Sequence, residues 1–117
     1  MNPEELSNRF LDFAVSILKI EKIVGNSFAS KHIFKQLVRS ATSSGANYQE
    51  ARSAESKADF VHKLQIVLKE SRESYYWLKL LQRTDRLNED LSVNLILEIN
   101  ELISILIKSI KTAKSKQ

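Results

Sequence analysis

Apolar residues recur along this chain at spacings of three and four, the period of an amphipathic α-helix. In residues 3–24 they form a heptad series made of Leu6, Phe10, Phe13, Ile17, Ile20 and Val24. Comparable segments cover residues 28–54, 57–83 and 89–112. One proline and two glycines in 117 residues are too few breakers for many strands and hairpins. The pattern therefore predicts one all-α domain, residues 1–117, with four helices.

The stretch QLVRSATSSGANYQEA, residues 36–51, places turn-forming residue types inside the second predicted helix. Its apolar and small positions nevertheless keep helical spacing, in the series Ile33, Leu37, Ala41, Ser44, Tyr48 and Ala51. Because the register is unbroken, we expect continuous helix here. Ser71 and Ser74 provide a second small centre in the third helix, so the two helices are expected to approach closely.

The fourth predicted helix is apolar over about 200° of its circumference, whereas a surface helix needs a stripe of roughly 100° or somewhat more. The apolar surface beyond that stripe must be buried against another part of the protein or against another subunit. No helix is central in a four-helix bundle, so a subunit interface is the better explanation. The candidate interface residues are Ile96, Ile103 and Ile107.

The chain has no cysteine, which excludes a disulfide framework and a thiolate metal site and fits a reducing compartment. The N-terminus lacks the layout of a signal peptide. The most apolar stretch is interrupted by Glu98 and Glu101 and is too short to cross a bilayer. We therefore expect a soluble cytoplasmic protein without a membrane partner.

The formal net charge of +4 lies entirely in the C-terminal tail, because basic and acidic side chains are equal in number before it. The tail carries Lys108, Lys111, Lys114 and Lys116. A solvated helix end that complements the helix dipole explains them most simply. The alternative is a phosphate-binding tail.

Five polar residues of the second and third helices are candidates for one network: Arg39, Asn47, Glu50, Glu70 and Glu73. Buried charges require partners, so Arg39 is expected to pair with Glu70 or Glu73. The favoured interpretation is a network that fixes helix register. A ligand or catalytic site and a subunit contact are the alternatives.

The sequence indicates no catalytic residue, cofactor site or metal site. A di-iron bundle would need Glu-x-x-His pairs, which are absent, and His32 and His62 are expected at the surface. Consecutive aromatic residues, Tyr75 to Trp77, point in different directions on a helix. They therefore favour core and interface packing over base stacking. An enzyme is the least favoured class.

Two motifs, QLVRSATSSGANYQEA and SKADFVHKLQIVLKESRESYYWLKLL, also resemble the bacterial 23S ribosomal-RNA intervening-sequence proteins. The matching positions are Arg39-Ser40, Asn47, Glu50-Ala51, Ser56, Asp59-Phe60, Lys69-Glu70 and Tyr76-Trp77-Leu78. The resemblance spans residues 9–107, and Tyr48 departs from it because a small aliphatic residue is more usual there.

This resemblance implies an up-down-up-down antiparallel four-helix bundle that assembles into a ring-like homopentamer. A similar bundle serves as the accessory variability protein of diversity-generating retroelements. The leading hypothesis is a non-enzymatic homo-oligomeric protein, a candidate for association with nucleic acid. The alternative is an enzyme of nucleic-acid processing, or an accessory subunit of one.

Overall fold

The computed structural model describes residues 1–116, and within them the protein is all-α, as predicted. These residues form five helices and no strand. The helices are α1 (Pro3–Lys19), α2 (Glu21–Val24), α3 (Phe28–Ala51), α4 (Lys57–Arg83) and α5 (Glu89–Ser115).

The prediction of one continuous helix over residues 3–24 is wrong, because the chain breaks at Ile20. The Ile20 N–H donates to Ile17 O at 3.2 Å, a tighter turn than an α-helix makes. The short helix α2 then begins, and Val24 N donates to Ile20 O at 3.0 Å. Ile17, Ile20 and Val24 are all buried. The spacing of the apolar residues thus continues through Ile20, so it does not reveal that the helix is interrupted there.

The stretch 36–51 is continuous helix within α3, which confirms the prediction made from its register. The helix ends at Ala51, three residues earlier than expected. Ser53 N and Ala54 N donate to Glu50 O and Ala51 O, which closes the end with tight turns. At the other end of the chain, α5 continues to Ser115, beyond the expected residue 112.

Each of the four long helices begins at a side chain that accepts a backbone N–H bond. Asn2 and Glu5 form a capping box on α1. Ser27, Ser56 and Asn88 accept from the third residue of α3, α4 and α5. These caps satisfy N–H groups that would otherwise lack partners, and they fix where each helix starts.

The long helices contact one another in a closed circuit around one core. α1 contacts α3 and α5, while α4 contacts α3 and α5. Arg39, at the middle of α3, reaches Glu70 and Glu73, whereas Glu50, at the end of α3, reaches Lys63, which is nearer the start of α4. These two helices are therefore antiparallel. The whole measures 50 × 21 × 20 Å.

The interior is filled by side chains from all four long helices. The largest fully buried ones are Phe10, Phe13, Ile17, Leu37, Leu64, Leu78, Leu81, Ile99, Leu102 and Leu106. Gly45 of α3 faces α1, where a Cβ atom would lie 3.4 Å from Phe10 Cβ. A small residue at this position lets the two helices approach.

Candidate functional site

Arg39 of α3 joins two carboxylates of α4 in a charge cluster between these helices. Arg39 Nη1 donates to Glu70 Oε2 at 2.9 Å, and Arg39 Nη2 pairs with Glu73. Trp77 Nε1 also donates to Glu73 Oε2, at 3.1 Å. Glu70 is only 8% exposed. Arg39 thus compensates a buried charge.

The electrostatics of this cluster favour its ionised form. Burial by itself raises the pKa of the Glu73 carboxyl. The hydrogen bonds from Arg39 and Trp77 outweigh burial, so the net pKa is lowered. The hydrogen bond to Glu73 in turn raises the pKa of Arg39. Both carboxylates are held by donors, so the arrangement can fix helix register but presents no free general base.

Asn47 and Glu50 lie outside this cluster. Asn47 Nδ2 donates to Ser43 O, one turn back in its own helix, at 2.9 Å. Glu50 Oε1 accepts from Lys63 Nζ at 3.1 Å. The predicted five-residue network is therefore three separate sets of contacts along the line where α3 meets α4. Arg39, Glu70 and Glu73 form the only set that matches the predicted pairing.

Four serine side chains lie fully buried where α3 packs on α4, as the two small centres predicted: Ser40, Ser44, Ser71 and Ser74. Ser40 Oγ and Ser74 Oγ are 2.8 Å apart across the helices. Ser44 and Ser71 donate to carbonyls four residues back, Ser40 O and Val67 O. No buried side-chain polar atom in residues 1–116 lacks a partner.

A second charge cluster, between α1 and α5, was missed by the sequence reasoning. Arg9 Nε and Nη2 donate to the two oxygens of Glu98 at 3.0 and 2.6 Å. Arg9 Nη1 donates to Glu101 Oε1 at 3.0 Å. The available signal was the pair Glu98 and Glu101, three residues apart in the most apolar helix. Their partner, Arg9, is 89 residues from Glu98 and 92 residues from Glu101 in the chain.

The predicted interface residues of α5 separate into two kinds. Ile96 and Ile103 are half-buried and pack against the core, so they are not exposed apolar surface of this chain. Ile107 remains exposed. Leu97 and Val93, which the prediction did not include, are also exposed apolar side chains of α5.

The four tail lysines do not share one face. Lys108 and Lys116 line a pocket at the end of the helices. Lys114 lines a separate groove beside His62, and Lys111 is exposed on another side of the helix. The predicted phosphate-binding tail therefore does not form a single cluster of lysines.

A row of basic side chains follows α4 instead, and the sequence reasoning did not identify it. Spacings of three and four place these residues on one face: Lys69, Arg72, Tyr76, Lys79 and Arg83. None of the four basic residues forms an ion pair within residues 1–116. The acidic residues of α4, such as Glu70 and Glu73, lie on the side that faces α3. We call these five residues the basic row of α4.

Most of the aromatic residues and both histidines lie in the environments that the sequence predicts. Tyr75 and Trp77 are half-buried against the core, whereas Tyr76 is exposed. His32 and His62 are both exposed, and the His32 ring lies edge-on to Trp77 at 6.0 Å between centroids.

Among residues 1–116, no three His, Asp or Glu side chains gather as metal ligands would. None of the helices described is long and apolar enough to cross a membrane.

Comparison with known proteins bears on the whole chain. Among curated proteins, none matches it. A crystal structure of a protein of unknown function from the S23 ribosomal protein family of Bacteroides thetaiotaomicron is similar, with a TM-score of 0.86. The two sequences are 39% identical, over 95% of this chain and 99% of that one. The sequence pattern of the 23S rRNA-intervening sequence protein family matches residues 5–108. With nearly its whole length matched, the chain belongs to the 23S rRNA-intervening sequence protein family.

Proposed function

We propose that this protein is a non-enzymatic, cytoplasmic homo-oligomer in which the four long helices form an up-down-up-down bundle. The observation that carries the proposal is a row of exposed apolar side chains on α1, made of Leu11, Val15 and Leu18. They are 61%, 41% and 51% exposed. Their spacing of four and three places them on one face. Scattered exposed apolar residues are normal, but an aligned row is typical of an interaction surface.

The apolar row of α1 lies on the side of the helix next to α3. Ser7, four residues before Leu11, donates to Gln49 of α3 at 2.7 Å. Arg9, which reaches α5, lies on another side of α1. The row therefore points away from the contact between α1 and α5.

A second apolar row lies on α5 and comprises Val93, Leu97 and Ile107. Leu97 is 62% exposed, nearly the same as Leu11. At 100° per residue, the centre of this row lies about 140° around α5 from Glu98, which bonds Arg9, although Glu101, the more exposed partner of Arg9, lies one turn from Leu97. The two rows therefore occupy different sides of the chain.

Two different exposed apolar rows on one chain favour a heterologous contact, in which the α1 row of one copy packs on the α5 row of the next. Such contacts close into a ring when the rotation between copies allows it. We propose five copies, the number that the family resemblance implies. The paired state of Glu70 and Glu73 supports a structural rather than a catalytic role for the charged cluster.

The test uses two variants with matched exposure, Leu11→Glu and Leu97→Glu, and light scattering coupled to size exclusion. Each variant alone is expected to be monomeric, because each retains only one half of the contact. An equimolar mixture is expected to form dimers, since one intact pair of rows remains. Ser16→Glu, an exposed position on α1 outside the row, is the control and should assemble as the unmodified chain does.

Circular dichroism establishes that each variant is folded. A monomeric unmodified chain at micromolar concentration would refute the assembly. Dissociation by Leu11→Glu alone, with Leu97→Glu unaffected, would indicate an isologous contact between two α1 rows instead of the head-to-tail arrangement.

A second candidate function, association with nucleic acid or with a nucleic-acid-processing protein, is favoured by the basic row of α4. Four cations that form no ion pair within residues 1–116 flank Tyr76, which is exposed and adds a stacking surface. Binding of this kind contacts phosphates and reads no sequence. It therefore depends strongly on salt.

The test compares three double variants against the same labelled single-stranded RNA. Lys69→Gln with Arg72→Gln should reduce the salt slope by about 1.4, at roughly 0.7 per phosphate contact. Lys31→Gln with Lys35→Gln removes the same charge from α3 and should leave the slope unchanged. Lys111→Gln with Lys114→Gln measures the contribution of the tail. Equal slopes for all three would exclude the basic row.

A further inference from the structure

A pocket of about 1000 Å³ opens at one end of the protein, where α1 and α4 begin and α3 and α5 end. Its volume is at the upper end of those that enclose small organic ligands. No residue of the rows on α1 and α5 that the proposed assembly uses lines the pocket, although Ile107 of the α5 row is next in sequence to Lys108 of the lining.

The lining of the pocket is largely apolar. Tyr48 and Ala51 contribute from α3, Phe60 from α4 and Ile105 from α5. Phe60 and Ile105 pack against the hydrophobic core and are half-buried, and both line the pocket. An apolar group that entered here would cover surface that water now contacts, and that burial is favourable.

Every ionisable side chain that is charged at neutral pH and lines the pocket is basic. These residues are Arg52, Lys57, Lys108 and Lys116. Arg52 has one distant partner, Glu4, with 4.0 Å between Nη2 and Oε2. Lys57 and Lys108 form no ion pair within residues 1–116. The opening thus carries uncompensated positive charge above an apolar lining.

The Tyr48 hydroxyl supplies a hydrogen-bonding group inside the pocket. Tyr48 is only 5% exposed, and its ring packs against Phe10 with centroids 5.5 Å apart. Within residues 1–116 the hydroxyl makes no hydrogen bond to another residue, and its oxygen is not completely buried, since every completely buried side-chain polar atom there has a partner. Burial raises the pKa of this hydroxyl, and the Arg52 charge partly offsets that rise. Tyr48 therefore stays protonated at neutral pH and can donate.

We propose that this pocket binds a small amphipathic anion, a carboxylate or phosphate that carries an aliphatic or aromatic group. The apolar group packs against Phe60 and Ile105. The anionic head lies among Arg52, Lys57 and Lys108 and accepts from the Tyr48 hydroxyl. A polynucleotide fits less well, because its charge would lie over an apolar lining that it cannot fill.

Decanoate is the probe, and binding is measured by isothermal titration calorimetry at neutral pH. One molecule is expected to bind per chain. Two matched compounds separate the contributions: 1-decanol keeps the apolar chain without the charge, and inorganic phosphate keeps a charge without the chain. Each is expected to bind at least tenfold more weakly than decanoate, because a charged hydrogen-bonded contact and apolar burial both contribute.

Variants locate the site. Lys108→Gln and Tyr48→Phe are each expected to weaken decanoate binding by about tenfold. Lys111→Gln, a charge-matched change three residues along α5 and outside the pocket lining, should have no effect. Tyr48→Phe keeps the ring that packs on Phe10, so it separates loss of the hydroxyl from loss of folding.

The site lies within one chain, so decanoate should bind the monomeric Leu11→Glu variant as well as the unmodified protein. The proposal is therefore tested separately from the proposed assembly. The proposal of an anion site would be overturned if decanoate did not bind at millimolar concentration. The same conclusion would apply if binding failed because a neighbouring copy covers the pocket. Equal affinity of Lys108→Gln, Tyr48→Phe and Lys111→Gln for decanoate, or equal affinity for decanoate and decanol, would overturn it too.

Discussion

Where α3 packs on α4, serines fill the centre of the contact, whereas α1 and α5 are joined by one arginine and two glutamates. We call these contacts the serine seam and the arginine seam. Ser40, Ser44, Ser71 and Ser74 are completely buried in the first. In the second, Arg9 reaches across to Glu98 and Glu101 near the surface.

The two seams differ in how closely the helices approach. Of the four helix pairs that form the circuit, α3 and α4 make the most extensive close contact, and α1 and α5 the least extensive. Small side chains allow backbones to come together, and their hydroxyls are satisfied within the seam. Long side chains instead bridge a wider gap. The serine seam should thus depend on volume, and the arginine seam on salt.

The largest expected effect is overpacking of the serine seam. Ser74→Leu replaces a hydroxyl oxygen by three carbons at a completely buried position, so it should lower the free energy of unfolding by about 3 kcal/mol. Urea denaturation at a fixed protein concentration measures this. Ser16→Leu, at an exposed site on α1, is the control and should change stability by less than about 0.5 kcal/mol. Equal effects of the two variants would show that the seam tolerates volume.

Removing single hydroxyl groups from the serine seam should lower the free energy of unfolding by unequal amounts. Ser40 Oγ donates to Leu37 O at 3.2 Å, so the proton shared across the seam comes from Ser74. Ser40→Ala leaves the buried Ser74 hydroxyl without its acceptor and should cost about 2 kcal/mol. Ser74→Ala leaves Ser40 bonded to Leu37 O and should cost about 1 kcal/mol. Unfolding of both variants in urea tests the order, which would be wrong if Ser74→Ala were the more damaging change.

Replacing Arg39 tests the charged edge of the serine seam. Arg39→Met leaves the buried Glu70 carboxylate without its cation and should cost about 1 kcal/mol at pH 7, since Arg39 itself is half-exposed. The effect should depend on pH. Because the folded-state pKa of Glu73 lies below its ordinary value of 4.5, its stabilisation is present above that value. It is lost as the pH falls through the lowered pKa.

The measurement is the difference in unfolding free energy between the unmodified protein and Arg39→Met across a pH series. That difference should be constant near neutrality and should shrink in acid. A difference that grows as the pH falls would contradict the lowered pKa of Glu73.

The smallest expected effect belongs to the arginine seam. Arg9→Met should cost under about 1 kcal/mol, because its partners Glu98 and Glu101 are partly exposed. In 1 M salt, where the screening length falls to about 3 Å, most of this loss should disappear. Ser40→Ala measured in the same salt series is the matched comparison and should be insensitive. Salt sensitivity of Ser40→Ala and not of Arg9→Met would reverse the assignment of the two seams.

Sequence alone determined the features that depend on neighbours along the chain. The helical period predicted α3 through Ser44 and Gly45, because the register survives the polar residues. Asn2, with Glu5 three residues on, forms the capping box that fixes the start of α1, and both residues are near neighbours in the sequence. The small centres at Ser71 and Ser74 identified where two helices meet. These signals depend on residues that are close together in the sequence, so they can be recognised without the tertiary structure.

Tertiary structure decided the rotation of each helix about its own axis, and with it which side chains meet. A wide apolar arc on α5 could not tell Ile103, which packs on the core, from Leu97, which is exposed. Arg9 and Glu98 became partners only through the packing of α1 on α5. The break at Ile20 is likewise invisible in an apolar period that continues through it. Periodicity specifies which residues share a face of a helix, whereas the packing of all the helices together specifies what that face contacts.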